Sequence, residues 1–77
     1  MTMKDLKKFI KDTKKNDLDL VLKLKMPNQK EPEIIMNYNS SLDAKLDYYI
    51  KTYDNKLRHN FNKEVQIVDM LATKIPY

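Results

Sequence analysis

The chain has no glycine, no cysteine and no tryptophan among its 77 residues, and only one histidine and two serines. Each absence removes a class of chemistry. Without glycine, no backbone loop can close on a phosphate in the way nucleotide enzymes require. Without cysteine there is neither a disulfide framework nor a thiolate metal site, and an intracellular setting is the natural expectation. His59 stands alone, so no H-x-x-x-H pair exists, and its place just past a helical pattern suits a solvated loop residue or a partner of the helix C-terminal dipole. Ser40 and Ser41 directly precede a helical pattern, which is where capping residues sit, and no G-x-S-x-G context makes either a nucleophile. Asp17 and Asp19 form a D-x-D at the start of a strand pattern, where solvated charge is expected rather than a Mg²⁺ site. The sequence therefore implies no catalytic residue, no metal site and no cofactor; an enzyme is not expected. Long apolar runs are missing too. Lys4, Lys7, Lys8 and Lys11 interrupt the N-terminal apolar residues, which argues against a signal peptide, and no stretch approaches the ~20 residues of a membrane span, so no membrane partner is expected.

The lack of glycine also bears on turns. Positive φ is expected to fall on asparagine, with Asn16, Asn28, Asn39, Asn55, Asn60 and Asn62 at plausible junctions.

What is present describes a folded domain. Apolar residues make up 42% and charged residues 34% of the chain, and the apolar ones recur with clear periods, so disorder is not expected. Residues 1–77 form a single domain. A domain of this size buries only about 60% of the surface its unfolded chain exposes, so its core has little in reserve. The net charge of +4 is unevenly placed. Residues 1–26 carry eight lysines and four aspartates, whereas positive and negative charges cancel over residues 27–77.

Thr2-x-x-Asp5 opens a capping-box-like start, and Met3, Leu6, Phe9 and Ile10 recur at helical spacing, which predicts a helix over 3–14. From Leu18 to Met26 the period becomes two, with Leu20, Leu22 and Leu24 on one face, which predicts a strand over 18–26. Residues 27–32, bounded by Pro27 and Pro32, have turn composition. A second strand is predicted over 33–38, with Ile34, Met36 and Tyr38 on one face and Ile35 on the other. Leu42, Leu46, Tyr49, Ile50, Tyr53 and Leu57 then form one apolar stripe, predicting a helix over 41–58 capped by Ser40 or Ser41. Val65 to Leu71 predicts a third strand over 64–71, whose adjacent Ile67 and Val68 suggest a bulge or burial on both faces; Thr73 to Tyr77 is expected to be irregular. The order α-β-β-α-β predicts an α+β two-layer sandwich. Its three-stranded, mainly antiparallel sheet has spatial order 2-1-3, with both helices on one face.

A resemblance lies over residues 42–71. A helix of pattern K-L/M-x-Y-Y…A/T-Y-D/N-x-x-L followed by an I-V-D strand resembles small accessory proteins encoded by phages and prophages of low-GC Gram-positive bacteria. The matching residues are Lys45, Leu46, Tyr48, Tyr49, Tyr53, Asp54, Leu57, Ile67, Val68 and Asp69. The resemblance implies a phage accessory protein in the cytoplasm of an infected or lysogenic host, and brings no catalytic residues with it.

Three surfaces are candidates for binding a partner. Lys4, Lys8, Lys11 and Lys15 share one side of the first helix, flanked by Lys7 and Lys14. This is either an ordinary solvated face or a stripe that contacts phosphates. Tyr48 lies off the apolar stripe of the second helix and is either a hot-spot or stacking residue or one that packs at the edge of the core. The outer face of the sheet is expected to carry Val21, Ile35 and either Val68 or Met70, apolar residues without a covering layer. The expected function is stoichiometric binding of a host or phage protein, as an inhibitor of a host defence system of the CRISPR–Cas kind or as a modulator of host machinery. The alternatives are nucleic-acid binding through the lysine helix and pairing of the chain with a second copy of itself.

Overall fold

The capping box at Thr2 forms as the sequence predicts. In the computed structural model, which describes residues 1–76, the Asp5 N–H donates to Thr2 Oγ1 (3.3 Å) and the Thr2 N–H donates to Asp5 Oδ2 (2.8 Å). These bonds satisfy helix-terminal donors and hold the Asp5 carboxyl below its ordinary range, the Thr2 backbone contributing most. Helix α1 spans Met3–Lys15 and buries Met3, Leu6, Ile10 and Thr13. It ends in a Schellman motif. The Leu18 N–H reaches Thr13 O (3.1 Å), the Asp17 N–H reaches Lys14 O (3.2 Å), and Asp17 takes the left-handed conformation at φ 55°.

Strand β1 (Asp19–Lys25) is central, between β2 (Glu33–Asn37) and β3 (Gln66–Thr73), and both neighbours pair with it antiparallel. The expected order 2-1-3 is therefore the observed one. A bulge interrupts β1–β3 between Lys23 and Leu24, where Val68 is the extra residue. Strand β3 runs two residues past the expected end at 71 and takes in Thr73, where the irregular tail was expected to begin, because Ala72 and Thr73 pair with Leu20 and Asp19; residues 74–76 have no regular structure, and Tyr77, part of the expected tail, lies outside the described residues.

Helix α2 (Leu42–Thr52) follows a short 3-10 turn at Asn39–Ser41. Its start differs from expectation, because neither serine caps it through its side chain: the N-cap Ser41 makes no side-chain cap hydrogen bond. The preceding junction is held instead by Asn39, whose N–H donates to Asp19 Oδ1 and whose Nδ2 donates to Leu18 O, both at 2.8 Å. Asp19 also accepts the Ile75 N–H (3.0 Å) and is buried. The D-x-D reading is corrected on this point: Asp17 is exposed and pairs with Lys74, while Asp19 is an internal clamp joining β1, the end of β2 and the C-terminal segment.

The end of α2 also differs, falling six residues before the expected 58. The cause is Asp54. Its Oδ1 accepts the N–H groups of Lys56 (2.8 Å) and Arg58 (3.0 Å), an Asx-type turn that competes with helix. The chain reverses there, Tyr53 pairs with His59, and the N–H and side-chain amide of Asn60 bond back to Thr52 O and Lys51 O to cap the helix from outside. The Asp54–Arg58 pair is thus a turn contact, with Nε 3.3 Å from Oδ2 but not aligned as a hydrogen bond. Tyr53 and Leu57 are buried as the stripe requires, but from the hairpin; Ile50, placed on the stripe, is exposed.

One core results. Leu6 and Ile10 of α1, Leu20 and Leu22 of β1, Leu42 and Tyr49 of α2, and Leu57 and Ile67 pack together on one face of the sheet. The asparagine expectation holds at Asn28 (φ 63°); the other positive φ values belong to Asp17 and to Leu57 (φ 62°).

Candidate functional site

Cross-strand register decides which side chains share a face, because residues directly opposite one another point the same way. Leu22 stands opposite Ile35 and Met70, and Leu20 opposite Asn37 and Ala72; these face the helices. Val21 stands opposite Met36 and Leu71, and Lys23 opposite Ile34 and Asp69; these face outward. The expected outer face is therefore corrected at Ile35, which is half-buried against the core. Val21 keeps its place, Val68 is exposed at the bulge, and Met70 turns inward.

The corrected face is more apolar than the expected one. Ile34, Met36, Val68 and Leu71 are each between 41% and 56% exposed. Lys23 and Asp69 sit beside them with a 4.0 Å charge contact. A shallow hollow of about 180 Å³ opens on this side, lined by Val21, Lys23, Asp69, Met70 and Leu71. Inside the sheet, the buried Asn37 accepts the Tyr49 hydroxyl (2.8 Å), and its Nδ2 has no hydrogen-bond partner among the described residues.

The lysines of α1 lie elsewhere. Lys4, Lys8, Lys11 and Lys15 are exposed on the side of the helix away from its buried stripe, and none makes an ion pair among the described residues. Lys14 pairs with Asp43 at the start of α2. Between the two helices runs an open groove of about 680 Å³, floored by Leu46 over the buried Ile10 and rimmed by Lys7, Lys11, Lys14, Lys15 and Asp43. Tyr48 is half exposed on α2, edge-on to Tyr49, with Lys45 Nζ 5.8 Å from its ring centroid. Tyr48 and Ile35 meet at a hollow of about 190 Å³ between α2 and the sheet. The seven residues singled out from sequence thus divide among the outer face (Val21), the α2 side (Ile35, Tyr48) and helix α1, where Lys4 and Lys8 lie on its back and Lys11 and Lys15 also rim the groove toward α2.

Phe61, unassigned in the sequence, is 93% exposed at the tip of the loop after α2. The loop beneath it is well bonded. The Phe61 N–H donates to His59 Nδ1 (3.1 Å), the Glu64 N–H to Asn62 Oδ1 (3.1 Å), and the His59 N–H to Val65 O (2.8 Å). His59 is therefore a half-buried turn residue between the rings of Tyr53 and Phe61. An aromatic flanked by Asn60 and Asn62, outside every apolar period, was the signal that could have found this site.

Among the described residues no group of three or more His, Asp or Glu side chains could hold a metal ion, and no helix is long and apolar enough to cross a membrane. No protein-family model, no curated protein and no solved structure matches the chain.

Proposed function

We propose that the protein is a phage-type accessory protein that binds a bacterial protein or complex stoichiometrically through the outer face of its sheet. The observation that carries this reading is the orientation of β2. Its sequence offers Ile34 and Met36 on one side and Ile35 and Asn37 on the other. The less apolar side faces the core, and the more apolar one faces solvent. A one-residue slip would exchange the two sides. A fold that buries an asparagine while displaying isoleucine and methionine around Val21 and Leu71 presents the kind of apolar patch that marks interaction surfaces.

Size argues for a foreign partner rather than a second copy. Three strands at ~4.8 Å spacing and about seven residues of ~3.3 Å rise give a face of roughly 330 Å². Stable interfaces need about 800 Å² per partner. A larger protein surface meets this by adding contacts around the rim, with the sheet face as its apolar centre. The resemblance of residues 42–71 to small phage proteins supports a partner in the cytoplasm of a bacterial host, such as a component of a defence system whose inhibition would benefit a phage.

The test is a pair of variants, Met36→Lys and Leu71→Lys. Both sites are exposed, so folding should persist with nearly unchanged Tm. A partner recovered from host lysate, purified and remixed with the protein should form a 1:1 complex that each variant abolishes and Lys4→Gln/Lys8→Gln preserves. Retained binding by both lysine-for-apolar variants would refute the reading. So would a wild-type dimer in light scattering that Leu71→Lys dissociates.

A further inference from the structure

The groove between α1 and α2 has a chemistry of its own, on the helical layer of the molecule. Its floor is the half-buried Leu46 with the buried Ile10 beneath, and its rim carries Lys7, Lys11, Lys14 and Lys15 together with Asp43. Leu46 belongs to the apolar stripe of α2 yet is only half-buried, so part of that stripe is left without a covering side chain. Lys7, Lys11 and Lys14 follow one another at +4 and +3, which sets them in a single row along α1 spanning about 10 Å. Lys7 and Lys11 have no ion pair among the described residues. Lys14 already holds the carboxylate of Asp43 at this site. The positive excess of the whole chain lies in the segment that forms this rim.

We infer that this groove receives an acidic amphipathic helix of a partner protein. Such a helix sets an apolar side chain against the half-buried Leu46 and places carboxylates at i, i+4 and i+7 beside the lysine row, whose spacing is that of a helix. Helix α1 is 13 residues long, about 20 Å, which accommodates a three-turn partner lying alongside it. A nucleic acid is the competing polyanion. It needs lysines without an apolar floor, and it would engage the outer row of Lys4 and Lys8 at least as well as the groove. The apolar floor favours the peptide. The inference stands apart from the outer-face proposal, since none of its residues lies on the sheet.

The experiment uses the full chain and three probes: a fluorescein-labelled helical peptide with glutamates at i, i+4 and i+7 and leucines on the adjoining face, a scrambled peptide of the same composition, and a short DNA duplex. Fluorescence anisotropy at low and moderate salt gives the affinities. The patterned peptide should bind at least about tenfold more tightly than the scrambled one. Lys7→Gln/Lys11→Gln should weaken it about tenfold, as expected for two exposed charge contacts near the upper end of their usual strength. Lys4→Gln/Lys8→Gln, an equal change of net charge, should weaken it less than threefold. Leu46→Gln should weaken it without changing the salt dependence. Backbone amide shifts on peptide addition to the wild type, confined to α1 and α2, support the site independently of any variant's folding. Equal binding of the two peptides, equal effects of the two lysine pairs, or tighter binding of the DNA duplex than of the patterned peptide would each overturn the inference.

Discussion

Leu57 is the sharpest test of how this glycine-free chain makes its turns. It lies in the left-handed region at φ 62°, and it is fully buried in the core. Its N–H donates to Asp54 O (3.0 Å) and its carbonyl accepts the Ile67 N–H (2.9 Å), so the hairpin and the start of β3 both depend on that conformation. Two costs are therefore superimposed at one residue. Replacing Leu57 by Ala deletes a fully buried isobutyl group while leaving the strained backbone with a β-carbon, which should cost about 3–4 kcal/mol. Replacing it by Gly removes one more buried carbon (~0.8 kcal/mol) and adds the entropy of a glycine in the unfolded chain (~0.5–1 kcal/mol), but it releases about 1–2 kcal/mol of left-handed strain.

These terms nearly cancel, so the Gly variant should fall within about 0.5 kcal/mol of the Ala variant. At a buried position with ordinary φ it would be about 1.5 kcal/mol worse. Urea unfolding followed by far-UV circular dichroism is the assay. With m near 1 kcal/mol per molar for a small domain, both variants should lose roughly 3 M in midpoint, and the two midpoints should lie within about 0.5 M of each other. A Gly variant more than about 1 M below the Ala variant would show that Leu57 holds this φ without strain. An Ala variant within about 1 kcal/mol of wild type would show that its side chain is not part of the core.

Two pH dependences follow from the same core and hairpin. The Arg58 N–H, the Lys63 ammonium and the Lys56 N–H hold the Asp54 carboxyl well below the usual carboxylate range. The folded state therefore takes up fewer protons than the unfolded state below about pH 4, so stability present above that pH falls as acid is added. Urea midpoints should decline toward low pH more steeply for wild type than for Asp54→Asn, and equal slopes would refute the assignment. At the other end of the scale, burial pushes the Tyr53 hydroxyl up to about 12 and also raises Tyr49 against the opposing hydrogen bond to Asn37. Stability should be intact below about pH 10, where unfolded tyrosine begins to ionise, and be lost between there and about 12. Tyr53→Phe should flatten that alkaline slope, and tyrosinate absorbance appearing well before unfolding would count against it.

The parts of the fold that were legible in the sequence are those where one pattern admits one reading. Leu20, Leu22 and Leu24 alternate with a valine and lysines, so β1 has a single apolar face and its central place follows. The Thr2–Asp5 box and the stripe of α1 are equally unambiguous. Elsewhere a single pattern is compatible with two conformations. Tyr53 and Leu57 fit the i, i+4 spacing of a continuing helix, but a turn nucleated by the Asp54 carboxylate buries the same two side chains from a hairpin. In β2 both faces carry apolar residues, so alternation alone could not say which one faces in. The α1–α2 groove was hidden for another reason: its rim was visible as lysines on one helix, but its floor required knowing that Leu46 of a second helix lies beside Ile10.

The face of β2 is set by pairing rather than by hydropathy. Once Leu22 stands opposite Ile35, Asn37 must enter the core beside Leu20, and the cost of burying its amide falls on whatever partner the helices supply. Tyr49 supplies a hydroxyl donor to Asn37 Oδ1 at 2.8 Å, while Nδ2 keeps no partner among the described residues. Half-satisfied amides are expensive in an interior, on the order of 1–3 kcal/mol, and an aliphatic residue in that place would remove the expense. Retaining the amide makes sense if Asn37 and Tyr49 together hold the register against the one-residue slip that would turn Ile34 and Met36 inward. In that case the buried polar pair and the exposed apolar face are two consequences of one choice. The stability given up inside the sheet is what holds Ile34 and Met36 on its outer face.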